Sequence, residues 1–164
     1  MLSVRSANTS DVAKIRQLAN PLVEQRVLLG KELVELYESI QEFVVAELDG
    51  EVVGFGALHV MWEDLAEVRT LAVSSSAQRR GVGAAILREL LERARLLGIH
   101  RVFCLTFETK FFASHGFEEI SDVPVDAVTY AELVRSHDEG VAEFLDLARV
   151  KQNTLGNTRM LKKL

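Results

Sequence analysis

Residues Ser74 to Leu91 read "SSSAQRRGVGAAILRELL", a hydrophilic run and two spaced glycines directly ahead of an apolar periodic stretch. Ile86, Leu87, Leu90, Leu91, Ala94 and Leu97 recur at helical spacing, with Arg88, Glu89, Glu92 and Arg93 on the opposite side. Such a pattern is a helix laid against a sheet. Gly98 closes it, a residue favoured just past a helix end. "EVRTLAV" (67–73), rich in strand formers, leads into the loop. The first turn of a helix carries N–H groups without partners and the positive end of the dipole, so bare backbone at its mouth suits an anion. Strand, loop and helix in this order point to an α/β fold.

The remaining chain alternates in the same way. Leu2 to Arg5 reads as a short strand, and Thr9, Ser10 and Asp11 offer a helix N-cap before Val12, Ile15, Leu18 and Ala19. Pro21 is expected to interrupt that helix soon after Ala19. A second helical pattern runs through Leu33, Leu36, Tyr37 and Ile40. "EFVVAELDGEVVGFGALHV" (42–60) reads as two strands joined at Asp49-Gly50, a strong hairpin signal. "RVFCLTF" (101–107) is a further strand, "KFFASH" (110–115) a short helix stopped at Gly116, and Phe117 to Ile120 another short strand. Asp126 to Val134 reads as helical. Asp138 to Leu155 is ambiguous, with Val141, Phe144 and Leu145 helix-like, and "TRMLKKL" (158–164) is a closing strand. With no repeat, low-complexity tract or linker in view, residues 1–164 read as a single domain.

Composition narrows the function. A chain of 164 residues with 26% charged and 48% hydrophobic residues can bury a real core. Its net charge of −5 argues against a general nucleic-acid binder, which needs excess cations to neutralise phosphates. Cys104 is the single cysteine, so no internal disulfide forms, and its apolar neighbours mark it as buried and inert. His59, His100, His115 and His137 lack ligand spacing, so no metal is expected. The apolar runs are too short to span a bilayer and no signal peptide opens the chain, which makes the expectation a cytoplasmic protein.

Two nucleotide readings of the loop fail. G-x-x-x-x-G-K-[ST] is absent, and a dinucleotide fingerprint would begin directly after the strand, whereas Ser74 to Arg80 intervene before Gly81. On residues alone, Gly81 and Gly83 either permit a turn with positive φ or clear the way for a ligand. Gln78-Arg79-Arg80-Gly81-Val82-Gly83 fits Q/R-x-x-G-x-G/A after a strand and before an amphipathic helix. This resembles the acetyl-CoA pyrophosphate loop of the GNAT N-acetyltransferase superfamily. "FFASHGF" (111–117) is similar to that superfamily's late helix-and-turn motif, and the order of elements from Ser3 to Ile120 agrees. The resemblance implies a mixed, mostly antiparallel sheet flanked by helices, with acetyl-CoA as co-substrate and no metal. Backbone N–H groups of Gln78, Arg79, Arg80, Gly81, Val82, Gly83 and Ala84 would wrap the pyrophosphate. An oxyanion donor is expected on the main chain of Leu71, Ala72 or Val73.

A narrower resemblance rests on "EVRTLAV", "RVFCLTFETKFFASHGF", "NTLGNTRMLKKL" (153–164) and "NPLVEQRVLLGKE" (20–32). These look like the acetyltransferase domain of N-acetylglutamate synthases in its short, single-domain form. The resemblance implies acetylation of the α-amine of L-glutamate, or of a close relative such as L-glutamine, at the first step of arginine biosynthesis. A homodimer is implied by the family's habit of completing a sheet across subunits through the C-terminal strand. Longer synthases carry an arginine-binding, amino-acid-kinase-like domain for which 164 residues leave no room, so that feedback is not expected here.

The chemistry asks for particular groups. An α-ammonium must lose a proton before attacking a thioester, and the leaving thiolate must gain one. Glu67 is either an ordinary strand carboxylate paired with Arg69 or solvent, or a base; the resemblance implies a general base, acting directly or through a water. Many superfamily members carry a Tyr proton donor where this chain has Phe112, and the synthase resemblance implies Thr106 instead. Its hydroxyl would donate a proton or only hydrogen-bond the thiolate, leaving alignment of amine and thioester to supply much of the rate. An acceptor carboxylate wants cations or polar donors, for which Lys31, Arg69, Asn157, Thr158 and Arg159 are candidates, while Lys162 and Lys163 read as solubility charges. Two other classes stay open: a GNAT enzyme for a protein N-terminus, polyamine or drug amine, and a non-catalytic acetyl-CoA-binding regulator that dispenses with Glu67.

Overall fold

Asp49 and Gly50 take φ of 53° and 83°, the paired left-handed conformations that let a two-residue turn follow the strand twist. They join β2 (Phe43–Leu48) to β3 (Glu51–Trp62), with Leu48 opposite Glu51. The computed structural model of the chain describes residues 1–25, 31–145 and 157–164. β1 (Leu2–Ser6) lies antiparallel to β2, from Leu2 opposite Leu48 to Ser6 opposite Val44. With β4 (Leu65–Val73), β5 (Arg101–Thr106), β6 (Glu118–Glu119) and β7 (Thr158–Lys163), the strand order is β1-β2-β3-β4-β5-β7-β6. β4 and β5 pair in parallel, whereas β1–β2, β2–β3, β5–β7 and β6–β7 are antiparallel. This is the mixed, mostly antiparallel α/β sheet expected.

The described chain forms two compact units, Met1–His59 with Val68–Leu97, and Val60–Glu67 with Gly98–Leu164. In the first, odd positions of the hairpin (Phe43, Val45, Phe55, Ala57) pack with Val12 and Ile15 of α1 (Val12–Glu24) and Leu36 of α2 (Leu33–Glu38). Even positions meet α3 (Val82–Leu96), as a period-two strand requires. Glycine at two of them lets the helix come close. A Cβ at Gly56 would stand 2.8 Å from Ile86 Cγ2, and one at Gly54 3.0 Å from Ile86 Cδ1.

The helix signals near the start are displaced in detail. Asp11 holds the N-cap position of α1, as expected, but its side chain caps no N–H of that helix; it turns back instead, its Oδ2 accepting the Asn8 N–H at 2.8 Å, while Asn8 Oδ1 accepts the Ser10 N–H at 3.0 Å. That reciprocal capping closes a 3₁₀ turn (Thr9–Asp11) ahead of α1. Pro21 does not end α1 after Ala19; the helix runs to Glu24, and Gln25 N–H donates to Pro21 O at 3.1 Å. Proline cannot donate to the carbonyl one turn before it, but its own carbonyl still accepts, so the helix carries on past it to Glu24. Leu97 does not join the buried face of α3. The helix stops at Leu96, Gly98 turns the chain at φ 81°, and Leu97 is left 61% exposed.

The second unit has its own core of Met61, Leu65, Phe103, Leu133, Val141 and Phe144, with the Phe103 and Phe144 rings stacked 3.8 Å apart. α5 (Ala127–Leu133) starts at Asp126, whose Oδ1 accepts the Thr129 N–H at 2.7 Å. The ambiguous segment is helical at Glu139–Leu145 (α6), and its continuation over 146–156 lies outside the described residues. β7 pairs with β5 from Arg101 opposite Lys163 to Thr106 opposite Thr158, and with β6 on its other side. The closing strand is thus used within its own chain. Among the described residues no helix is long and apolar enough to cross a membrane.

Candidate active site

In the first unit, Gly81 is the N-cap of α3 at φ 79° and ψ 8°, and the Ala85 N–H donates to its carbonyl at 3.0 Å. The N–H groups of Gly81, Val82, Gly83 and Ala84 therefore have no partner within the helix. Gln78, Arg79, Arg80 and Gly81 are exposed, while Val82 is buried and anchors the turn. Arg79 is left-handed too, at φ 64°, and left-handed residues interspersed in a loop build anion-binding concavities. The turn-glycine reading holds for Gly81 alone, where a Cβ would meet nothing within 4 Å and only φ demands glycine. Gly83 is helical, and its missing side chain leaves the first turn bare. Amides without intrahelical partners, the positive end of the helix dipole and two exposed arginines are the features an anion such as a pyrophosphate would require.

Thr70 was invisible to sequence reasoning. It takes φ 57° inside β4, an outlier for a β-branched residue, and its Oγ1 is buried with no hydrogen-bond partner among the described residues. Backbone strain of this kind, about 1–3 kcal/mol, persists where surrounding structure over-determines it, characteristically at functional sites. It falls directly before Leu71, Ala72 and Val73, and the chain is re-anchored by Ser74 N–H donating to Val53 O at 2.7 Å. Arg69 is half-buried and already engaged, and Lys31 is half-buried just ahead of α2. Residues 26–30, within "NPLVEQRVLLGKE", lie outside the described residues.

The second unit holds the acid–base candidates. Glu67 is 4% exposed and sits opposite Phe103 in the parallel ladder, so it is not a solvent-facing carboxylate. Burial, and to a smaller degree the Glu67 charge, push the Cys104 thiol up, which keeps it neutral and inert. Thr106 is also buried, and its Oγ1 accepts the Glu108 N–H at 2.8 Å, leaving the hydroxyl hydrogen for another acceptor. Phe112 packs edge-on against Phe117 at 5.1 Å and serves as core.

Asn157, Thr158 and Arg159 come together around a cavity of about 200 Å³, joined by Glu119 and Glu143. Arg159 is tied down by Nη1 donating to Ser121 O at 3.2 Å and Nη2 to Phe144 O at 2.9 Å, which spends two of five guanidinium N–H groups. Sequence reasoning missed both glutamates because they come from separate elements with no shared motif. Of the acceptor candidates, this unit assembles three, while Lys31 and Arg69 belong to the other. Among the described residues no cluster of His, Cys, Asp or Glu could hold a metal.

With this geometry in place, residues 12–117 match the family model of the acetyltransferase (GNAT) family. The chain belongs to that family. It is 56% identical over 161 residues to the amino-acid acetyltransferase of Mycobacterium tuberculosis, covering 96% of this chain and 92% of that one. The fold of this acetyltransferase superimposes on the crystal structure of Mycobacterium tuberculosis Rv2747 in complex with CoA and NLQ, with a TM-score of 0.94, 56% identity and 99% of each chain covered. It also matches N-acetylglutamate synthase from Neisseria gonorrhoeae complexed with coenzyme A and N-acetyl-glutamate, at TM-score 0.80 and 29% identity. All of this chain is covered there, but only 35% of the synthase.

Proposed function

We propose that this acetyltransferase moves the acetyl group of acetyl-CoA to the α-amine of L-glutamate or L-glutamine, the first step of arginine biosynthesis. The observation that carries the reading is the composition of the second unit. A buried carboxylate (Glu67) and a buried hydroxyl (Thr106) share that unit with a cavity of both charge signs, Arg159 with Glu119 and Glu143. An acceptor bearing an ammonium and a carboxylate suits that mixture. The name and CoA complex of the mycobacterial relatives support the same reaction class.

Glu67 takes a proton from the α-ammonium, directly or through a water, and the freed lone pair attacks the thioester carbon. A main-chain N–H of Leu71 to Val73 stabilises the oxyanion. The C–S bond then breaks while the Thr106 hydroxyl donates a hydrogen bond to the departing sulfur. Of the two protons the nitrogen loses, one ends on the thiolate and the other passes through Glu67 to solvent. Asn157, Thr158 and Arg159 hold the acceptor's carboxylate. The backbone from Gln78 to Ala84 holds the coenzyme, and no metal takes part.

The test compares free glutamate, free glutamine, glutamate α-amide and spermidine as acceptors at saturating acetyl-CoA. Removing the carboxylate from a cation that the bound acceptor desolvates costs about 2–5 kcal/mol, so kcat/KM for the α-amide should fall roughly 30-fold or more. Arg159→Ala should erase much of that preference. Faster turnover of spermidine or a peptide terminus would transfer the reading to the wider acetyltransferase class, and coenzyme binding without turnover of any amine would make the protein a regulator.

A further inference from the structure

α4 (Thr109–Ser114) has only six residues, too few to hold a helix by its own hydrogen bonds. Its far end is closed by Phe117 N–H donating to Phe112 O at 3.1 Å and Gly116 N–H to Ala113 O at 3.0 Å, with Gly116 at φ 89°. This is a Schellman closure, and the Phe112–Phe117 ring contact is the apolar clasp that accompanies it. Two carbonyls beyond the closure still need donors. Phe111 O accepts Ser114 Oγ at 2.6 Å, and His115 O accepts Lys162 Nζ at 2.8 Å. Lys162 lies on β7 opposite Val102 and is half-buried, so it is not the solubility charge its sequence context suggests. Gly116 is shaped to it, since a Cβ there would collide with the Lys162 ammonium.

The near end of α4 leads back to the reaction. Phe112 N–H donates to Glu108 O at 3.2 Å, opening the helix, and Glu108 N–H donates to Thr106 Oγ1 at 2.8 Å. α4 is thus braced at one end on β5 through Thr106 and at the other on β7 through Lys162. A hydroxyl that accepts one fixed N–H has its own hydrogen directed away from that donor. We propose that Lys162 is a positioning residue: by pinning the C-terminal end of α4 to β7 it keeps the Glu108 N–H on Thr106 Oγ1 and so aims the Thr106 hydroxyl at the departing sulfur. This rests on the reading of Thr106 as the leaving-group partner.

A double-mutant cycle separates the proposal from a purely structural role. Thiol release is measured for the parent, Lys162→Met, Lys162→Arg, Thr106→Val and the Lys162→Met/Thr106→Val pair. Lys162→Met should lower kcat about tenfold with little change in the acetyl-CoA KM, below the ~10²-fold loss that an ångström of misplacement can bring. Lys162→Arg, which keeps the donor, should restore most of it. In the Thr106→Val background the lysine change should cost almost nothing further. Equal losses in both backgrounds would overturn the proposal, as would full kcat in Lys162→Met. Parental kcat in Thr106→Val would instead overturn the leaving-group reading itself. Should Lys162→Met not fold, Lys162→Gln shortens the side chain and withdraws the donor from His115 O, and its loss in kcat should likewise shrink once Thr106 is valine.

Discussion

Replacing Gly56 with alanine puts one methyl group where α3 meets β3. Its carbon would stand 2.8 Å from Ile86 Cγ2 and 3.1 Å from Leu71 Cδ1 and Leu90 Cδ1. Carbon atoms rest about 3.5–4.0 Å apart, so the Ile86 contact alone demands a retreat of roughly 0.7–1.2 Å. Ile86 and Leu90 are both wholly buried, and Ile86 is also held against Gly54, so neither can swing aside. The helix must move. Overpacking of this kind costs about 1–3 kcal/mol, which in a chain of this length lowers Tm by roughly 2–12 °C. Because α3 carries Gly81 to Ala84 at its start, the same displacement should weaken acetyl-CoA binding. Gly50→Ala is the control: a Cβ there meets nothing within 4 Å but keeps φ at 83°, so it should lower Tm through strain and leave the coenzyme affinity alone. Thermal melts and calorimetry with CoA read both quantities. If Gly56→Ala melts with the parent and binds CoA equally well, α3 is not held at its distance by that glycine.

Three further outcomes are expected. Glu67→Gln should lower kcat about 10²–10⁴-fold, with the deficit shrinking at high pH where free amine is abundant; parental kcat across the pH range would leave Glu67 an ordinary buried carboxylate. Gly81→Val should weaken coenzyme binding, because left-handed φ costs a branched side chain about 1–2 kcal/mol and the turn that presents the first amides of α3 relaxes to escape it; unchanged CoA affinity by calorimetry in a folded variant would remove the loop from the site. Hydrogen bonds from Arg5, with help from the Asn8 N–H and against burial, hold the Asp11 carboxyl below its ordinary value of 3.8. A carboxyl depressed in the folded state contributes stability that is present above the ordinary value and lost as pH falls through the lower one. The urea midpoint of the parent should therefore converge on that of Asp11→Asn in acid, and a constant gap between the two from neutral to acid would refute it.

What the sequence by itself determined was local. Ser74 to Leu91 carried its strand, loop and helix because periodicity, a glycine needing positive φ and orphan amides are all decided within a few residues. Asp49-Gly50 carried the hairpin for the same reason, and the motif spacing was enough to suggest what the loop holds. Tertiary structure decided the rest. Thr70 is by propensity a strand residue, and nothing in its neighbours along the chain foretells its left-handed φ of 57°. Gly54 and Gly56 look like weak strand positions until a helix lies over them. Pro21 looks like a helix stop, yet the helix runs on to Glu24. Lys162 looks like a surface charge because the carbonyl it serves is 47 residues away. Glu119, Glu143 and Arg159 share no pattern, yet they line one cavity. Backbone conformational preferences act between neighbours in the chain, whereas burial, close contact and charge pairing act between neighbours in space, and the second kind of neighbour exists only once the chain has folded.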